Sequence, residues 1–371
     1  RATGGVGFLF SDILGHQSLS VFLQANGTIK DIGGGVFYSN QENRMDYRVG
    51  LSHQPSAFGR VGVNPNTGNL VQIVQRVFRT QVGTQASYPF SQTNRLEVGL
   101  GGTRYGFDIT AREFNQLGRS IERDVGTSRD PIYFGRASLA YVGDFSSSGL
   151  TSPLQGGRYR FQVTPQFGSR NYVSILSDYR RYVYREPVTF AIRGLHRGNY
   201  GAGQFRGELT DSFVRETLGD PYQTGFVRGY GFNSIFEEPK CRQQGICEVG
   251  RLVGTRMALG SVEVRLPLLG PEVLGLASFE YLPTDLVLFA DAGVAWTNED
   301  LTELSFSSNT IRQFGGADPT RTGTVPAEPV TSAGVSARVN VLGAVVLEAF
   351  YARTFQRTKN WDFGLILRPG W

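Results

Sequence analysis

Arg228 is the residue whose surroundings most invite chemistry. It stands in Gly225-Phe226-Val227-Arg228-Gly229-Tyr230-Gly231, and two acidic motifs follow it, Gly260-Ser261-Val262-Glu263 and Phe289-Ala290-Asp291-Ala292-Gly293. A guanidinium presents five donors in a planar fork, so it suits a place where carboxylates converge. The chemistry implied is a charge-assisted lock, with no bond made or broken. Taken alone, Arg-Gly-Tyr in a Gly-rich stretch reads as a surface turn. The downstream motifs make Arg228 a candidate site residue, with Asp291 as first partner and Glu263 as second.

Other reactive residues form no such pattern. The three His (His16, His53 and His196) lie far apart, without the Cys or carboxylate spacing of a metal site. No Gly-x-Ser-x-Gly, P-loop or paired nucleophile and base occurs, so we expect no enzyme, no cofactor and no metal. An outer-membrane protease or phospholipase, which gathers its groups from separate strands, is disfavoured by the scattered His. Cys241 and Cys247 sit in a polar Pro-Lys-Cys-Arg-Gln-Gln-Gly-Ile-Cys segment with too few ligands for zinc. A local disulfide fits better and implies an oxidising compartment. The formal charge is +5, with 37 basic residues dispersed along the chain, so no basic stripe for nucleic acid exists. Arg158, Arg160, Arg180, Arg181 and Arg193 either form a basic wall or pair with acids such as Glu97 and Asp178; we favour pairing.

These residues must be held by strands. The chain has 48 Gly, 26 Phe and 16 Tyr, a composition for strands and tight turns. Alternation at period two recurs throughout. Met45, Tyr47, Val49 and Leu51 alternate with Asp46, Arg48, Gly50 and Ser52; Leu286, Leu288, Ala290 and Ala292 oppose Val287, Phe289, Asp291 and Gly293. We place strands near 4–11, 18–26, 32–41, 45–54, 70–86, 94–114, 132–146, 158–169, 171–185, 188–198, 255–266, 284–296, 331–341, 345–357 and 360–371. No amphipathic helix of any length intervenes. Many strands are long enough to cross a bilayer at a tilt, and their polar face repeats Arg and Glu. That face suits a wet lumen and would be costly in the dry core of a soluble sandwich. Mean hydropathy is −0.20, which membrane barrels routinely show because half of each strand is polar.

Connections alternate in length. Short turns are expected at Asp12–Gln17, Gln41–Arg44, Pro89–Asn94, Arg185–Pro187 and Leu342–Ala344, and long ones at Pro55–Asn69, Asn115–Pro131, Asn199–Gly254 and Thr297–Thr331. With a periplasmic C-terminus the long segments lie outside. The same count sends Gly4–Ser11 downward from outside, so a sixteenth strand is expected upstream of Arg1.

Val-Arg-Gly-Tyr ahead of a Gly-x-x-Glu strand and a Phe-x-Asp-x-Gly strand resembles the BamA/TamA-type superfamily of outer-membrane insertases and translocases. That superfamily includes the bacterial surface antigen barrels and the two-partner-secretion transporters. The resemblance is specific over 225–296 and the C-terminal strand. It implies an all-β, transmembrane antiparallel β-barrel of sixteen strands, about fifteen of them in this chain, with the lumen plugged by the sixth extracellular loop. Residues 1–371 would form the barrel domain, 199–254 its inward-folding lid, and periplasmic modules would precede residue 1. Counted in sixteen, 188–198 and 255–266 are strands eleven and twelve, which puts Asp291 on strand thirteen. The resemblance assigns Val227, Arg228, Gly229 and Tyr230 as the lid motif, with Asp291, Glu263 and Phe289 as its lumen partners. The close Cys241/Cys247 pair would staple an additional lobe. Phe363, Leu365, Leu367 and the terminal Trp371 read as the β-signal of a chain inserted by the barrel-assembly machinery. The implied function is insertion or translocation of proteins, or lipids, at the outer membrane, through a wall that opens between first and last strands. Implied partners are outer-membrane lipids and lipopolysaccharide, the assembly machinery, protein clients and envelope-complex subunits. A plugged scaffold subunit and a passive porin are the alternatives.

Overall fold

A ladder forms wherever side chains alternate and both edges find a neighbour. The computed structural model describes residues 3–64, 67–114, 120–126, 130–201, 215–219, 226–231, 233–244, 251–271, 275–279, 281–296, 309–311, 323–325, 329–341, 343 and 345–369. Among them are fifteen strands of nine residues or more. They are β1 (Thr3–Ser11), β2 (Gln17–Asn26), β3 (Ile32–Asn40), β4 (Asp46–Val63), β5 (Leu70–Pro89), β6 (Asn94–Phe114), β7 (Ile132–Asp144) and β8 (Pro153–Gly168). Then follow β9 (Tyr172–Arg185), β10 (Val188–Tyr200), β11 (Arg256–Gly270), β12 (Thr284–Trp296), β13 (Val330–Val341), β14 (Val345–Thr354) and β15 (Trp361–Pro369). Each long strand hydrogen-bonds to the next in chain order, from β1 to β15, as an antiparallel meander. The expected fold class stands, and so does the expectation of about fifteen long strands.

The chain divides into two compact units, Arg1–Leu139 with Thr164–Asn171, and Ala140–Val163 with Tyr172–Trp371. In the first, β4, β5 and β6 outrun their neighbours. The expected loop from Pro55 is strand as far as Val63, because β4 and β5 stay in register to Val63↔Leu70. Pairing with β3 stops at His53, so Pro55 falls where that edge of β4 carries no ladder and a missing N–H costs least. The expected loop 115–131 likewise contains a strand, Ser120–Gly126, paired back onto β6. A 3-10 turn, Ile29–Asp31, anchors to this extension through Arg76 Nε to Asp31 (3.0 Å) and Lys30 Nζ to Asp108 (3.1 Å).

In the second unit the faces are sorted the reverse way from a water-soluble sheet. Val262 (54 %) and Leu288 (51 %) are exposed, with Phe190, Ile192, Val335 and Tyr351. Between them in sequence, Glu263, Arg265, Asp291, Arg338 and Glu348 are buried. Apolar side chains outside and paired charges within are the arrangement of strands whose outer medium is lipid. No helix among the described residues is long and apolar enough to cross a membrane. The only α-helical turns described are α1 (Ser234–Glu237) and α2 (Pro239–Gln244), both within the long 199–254 connection.

Replacing Leu288 by Arg is expected to destabilise the protein in vesicles by about 2–4 kcal/mol, the cost of a cation near the bilayer midplane. A lowered urea midpoint would register it. A shift within about 0.5 kcal/mol, as for a water-exposed position, would contradict a lipid-facing Leu288.

Candidate functional site

The polar faces of β11 to β14 carry one side chain every second residue, and register sets which of them meet. Ser261 pairs with Asp291, Asp291 with Ser332 and Arg338 with Glu348 across successive ladders. Onto this wall folds the segment around Arg228, which is 3 % exposed. Its Nε and Nη2 grip Asp291 Oδ2 (2.7 Å) and Oδ1 (2.8 Å), and its backbone N–H donates to the same carboxylate (3.3 Å). Nη2 lies 3.0 Å from Glu263 Oε1, and Nη1 donates to Glu348 Oε1 at 3.0 Å. The guanidinium stacks over the Phe289 ring, 3.6 Å from its centroid. Asp291 and Glu263 both meet Arg228, in the places the motifs suggested.

Sequence reasoning missed half the cluster. Glu348, Arg338, Arg265 and Ser261 were not singled out. Arg338 bridges Glu263 (2.6 Å) and Glu348 (3.2 Å), and Arg265 Nη2 lies 2.7 Å from Glu263 Oε2. Ser261 Oγ donates to Asp291 (2.6 Å), and Ser336 Oγ to Glu348 (2.9 Å). Three arginines thus face three carboxylates, and the formal charges cancel. The signal available in the sequence was parity: Ser336, Arg338 and Glu348 each stand between two apolar neighbours along their strands.

Glycines give the segment room. A Cβ on Gly293 would lie 2.7 Å from Val227 Cγ2, so the last residue of Phe-x-Asp-x-Gly clears space for the lid. Gly229 has φ +87°, and a Cβ there would lie 2.6 Å from Thr354 Cγ2. Val227, with no exposed surface, packs with Leu218, Ile235 and Leu252 of the same connection against Leu195, Met257, Leu259 and Ala295. Tyr230 Oη donates to Gln356 Oε1 (2.7 Å) and accepts from the Gln356 N–H (3.0 Å). Arg357 Nη1 donates to the Gly229 carbonyl (2.7 Å), and Nη2 to Glu237 of α1 (2.9 Å). The lid is therefore fastened to the β14–β15 connection as well as to the wall. At its other side Glu216 accepts from Asn199 Nδ2 (3.1 Å) and meets Arg197 (2.9 Å). Burial raises the Glu216 carboxyl above its ordinary range, with Arg197 opposing.

No family model matches the chain, and no curated protein does either. CdiB from Acinetobacter baumannii superposes with a TM-score of 0.52 at 12 % identity, over 99 % of this chain and 56 % of its own. CdiB from Escherichia coli gives 0.51 at 11 % identity, over 98 % and 58 %. BamA from Haemophilus ducreyi lacking POTRA domains 1–3 also matches, at 0.49 and 15 %, over 98 % of this chain and 69 % of that one. The chain shares the fold of the two CdiB structures. It spans little more than half the length of the two CdiB chains.

Within this fold the other expected residues sort as follows. Phe363, Leu365 and Leu367 are exposed on the outer face of β15, and Trp371 lies outside the described residues. Cys241, on α2, packs against the lid's apolar cluster; Cys247, and with it the expected disulfide, lies outside the described residues. The basic wall divides: Arg180 and Arg193 both bind Asp178 (2.8 and 2.9 Å), and Arg158 binds Asp144 (2.9 Å). Arg160 donates to Gln162 (2.9 Å). Arg181 does not join them; it is exposed, beside the Phe145 ring. Glu97 turns to Arg95 on its own strand (2.7 Å).

Replacing Arg228 by Ala leaves buried carboxylates without their cation, a change that costs about 3–5 kcal/mol in comparable buried pairs. Lysine cannot make the two-pronged contact and should recover only part. Protease cleavage within the lid reads both; equal resistance in all three proteins would refute the lock. Burial opposes the Arg228 charge, but Asp291 and Glu263 outweigh it and hold the guanidinium more basic than in water. A raised cationic group contributes stability below its unfolded pKa, which for arginine already lies far above neutral, and loses it only above the still higher folded value. Lid protection should therefore stay constant from neutral to about pH 10; loss of protection within that window would exclude Arg228 as the anchor.

Proposed function

We propose that the chain is the outer-membrane barrel of a non-enzymatic insertase or translocase, assisting proteins, or lipids, into or across that membrane. The observation that carries this is the lid. A porin needs an open polar path, whereas here a segment of the 199–254 connection covers the polar face of β11 to β14 through a buried arginine. The apolar outer face supports residence among membrane lipids, lipopolysaccharide included. The exposed Phe363, Leu365 and Leu367 on the last strand support handling by the barrel-assembly machinery. The lid fills the site at rest, and a client or partner that competes for its contacts would displace it. Tyr230 and Arg357 give the lid a second attachment, so it can leave the wall while tethered to the β14–β15 connection.

A plugged scaffold subunit of a larger envelope complex is the second reading. What favours it is the cancelled charge of the Arg228 cluster, in which each carboxylate already meets an arginine.

With outer-membrane client proteins and vesicles holding the reconstituted chain, Arg228→Ala is expected to lower client insertion about tenfold, the loss of about 1.4 kcal/mol of coupling. Insertion unchanged by Arg228→Ala, and no better than in empty vesicles, would reject the insertase reading; stable co-purified envelope subunits would then favour the scaffold.

A further inference from the structure

The connection between β7 and β8 reaches well beyond its own hairpin. Within it, Thr151 (1 %) and Ser152 (3 %) are almost fully buried. The segment doubles back through the short pairing of Ser147–Ser148 with Pro153–Gln155, closed by Gly149 N–H to the Ser152 carbonyl (3.0 Å). Its tip then reaches strands far from its own. Thr151 Oγ1 and Ser152 Oγ (3.2 Å) donate to the Asp285 carboxylate at the start of β12. Asn340 Nδ2, near the end of β13, donates to the Leu150 carbonyl. Arg265 Nη1 on β11 donates to the Pro153 carbonyl (3.1 Å), and Leu150 Cδ1 lies 2.9 Å from where Gly270 would carry a Cβ.

In the hydrogen-bonded order β12 and β13 are four and five places from β8. A segment leaving β8 can touch them only by crossing the polar face of β9, β10 and β11. It does so at the end of the strands opposite the lid. Asp285 and Asp291 are six residues apart on β12, about 20 Å at a strand's rise of about 3.3 Å per residue. Among the described residues the charge cluster lies between the two: Glu263 meets Arg228 on the lid side, and Arg265, bonded to Glu263, donates to the carbonyl of Pro153, where the segment joins β8.

We propose that residues 145–152 form a strap that closes the same polar path a second time, in series with the lid, so that passage requires both to be released. This rests on the lid being a plug, but its test contains no client, so failure of the insertase reading would leave it standing. Two variants release the strap: Asp285→Ala with Asn340→Ala on the wall side, and Thr151→Val with Ser152→Ala on the strap side. The second touches no residue of a long strand, so it keeps the test available where the first fails to fold. Each is made in the unaltered chain and in an Arg228→Ala background, and ionic conductance is measured in planar bilayers. Release of the strap should leave conductance near its starting value while the lid stands, and raise it at least tenfold in the Arg228→Ala background. No rise in that background, from protein that keeps its heat-modifiable folded band, overturns the strap. An equal rise in both backgrounds overturns closure in series.

Discussion

The charge of Arg228, buried on a wall of carboxylates, is the constraint from which the rest of the second unit follows. A guanidinium out of water is tolerable only if its charge is met and its donors are used. Here Asp291, Glu263 and Glu348 supply three negative charges, and Arg228, Arg265 and Arg338 three positive ones. The cluster draws on four successive strands, so it also specifies how they pair. A slip of one residue in β12 would send Asp291 to the lipid face and bring Ala290 or Ala292 inward. Register and lid position therefore depend on each other.

Direction comes from the charges and closeness from the space around them. Arg228 fixes where the segment lands, but Val227 and Tyr230 on either side can pack only because Gly293 and Gly229 carry no side chain. The apolar cluster of Leu218, Val227, Ile235 and Leu252 then excludes water from one side of the ion pairs, which strengthens every attraction within. Arg357 and Gln356 belong to the turn after β14, so the same hairpin that presents Glu348 to Arg228 also holds Gly229 and Tyr230. Neighbouring residues of the lid are thus held by neighbouring parts of one hairpin.

Much of this was legible because lipid imposes a strict rule on strands: apolar outside at every second position. Val262, Leu288 and Phe363 obey it, and the strands containing them fall where alternation placed them. The rule fails where strands leave the bilayer. Beyond His53, β4 has no need of alternation and contains Pro55, which reads as a breaker and is harmless at an unpaired edge. The site was legible to the extent that one motif names its own partners. Arg228, Glu263, Phe289 and Asp291 come together, but Arg338 and Glu348 answer to charge balance, which no short motif records. The β7–β8 strap was invisible for a different reason. Leu150, Thr151 and Ser152 are unremarkable turn residues, and their contacts lie more than a hundred residues away.

A neutral, closed cluster is a poor filter and a good latch. A fixed-charge filter must leave some charge unmet to attract its ion, whereas here each carboxylate meets an arginine at contact distance. Separating the lid from the wall would strand buried charge at about 3–5 kcal/mol, and at about 1.4 kcal/mol per tenfold the open form would be rarer than the closed by some two to four orders of magnitude. Thermal fluctuation alone would then pass a flux smaller than that of an open pore by the same factor. A large rise in the open fraction then needs something that binds the open form better. The natural competitor is a segment able to offer Asp291, Glu263 and Glu348 a cation, or Arg265 and Arg338 an anion, while covering the apolar cluster that the lid vacates.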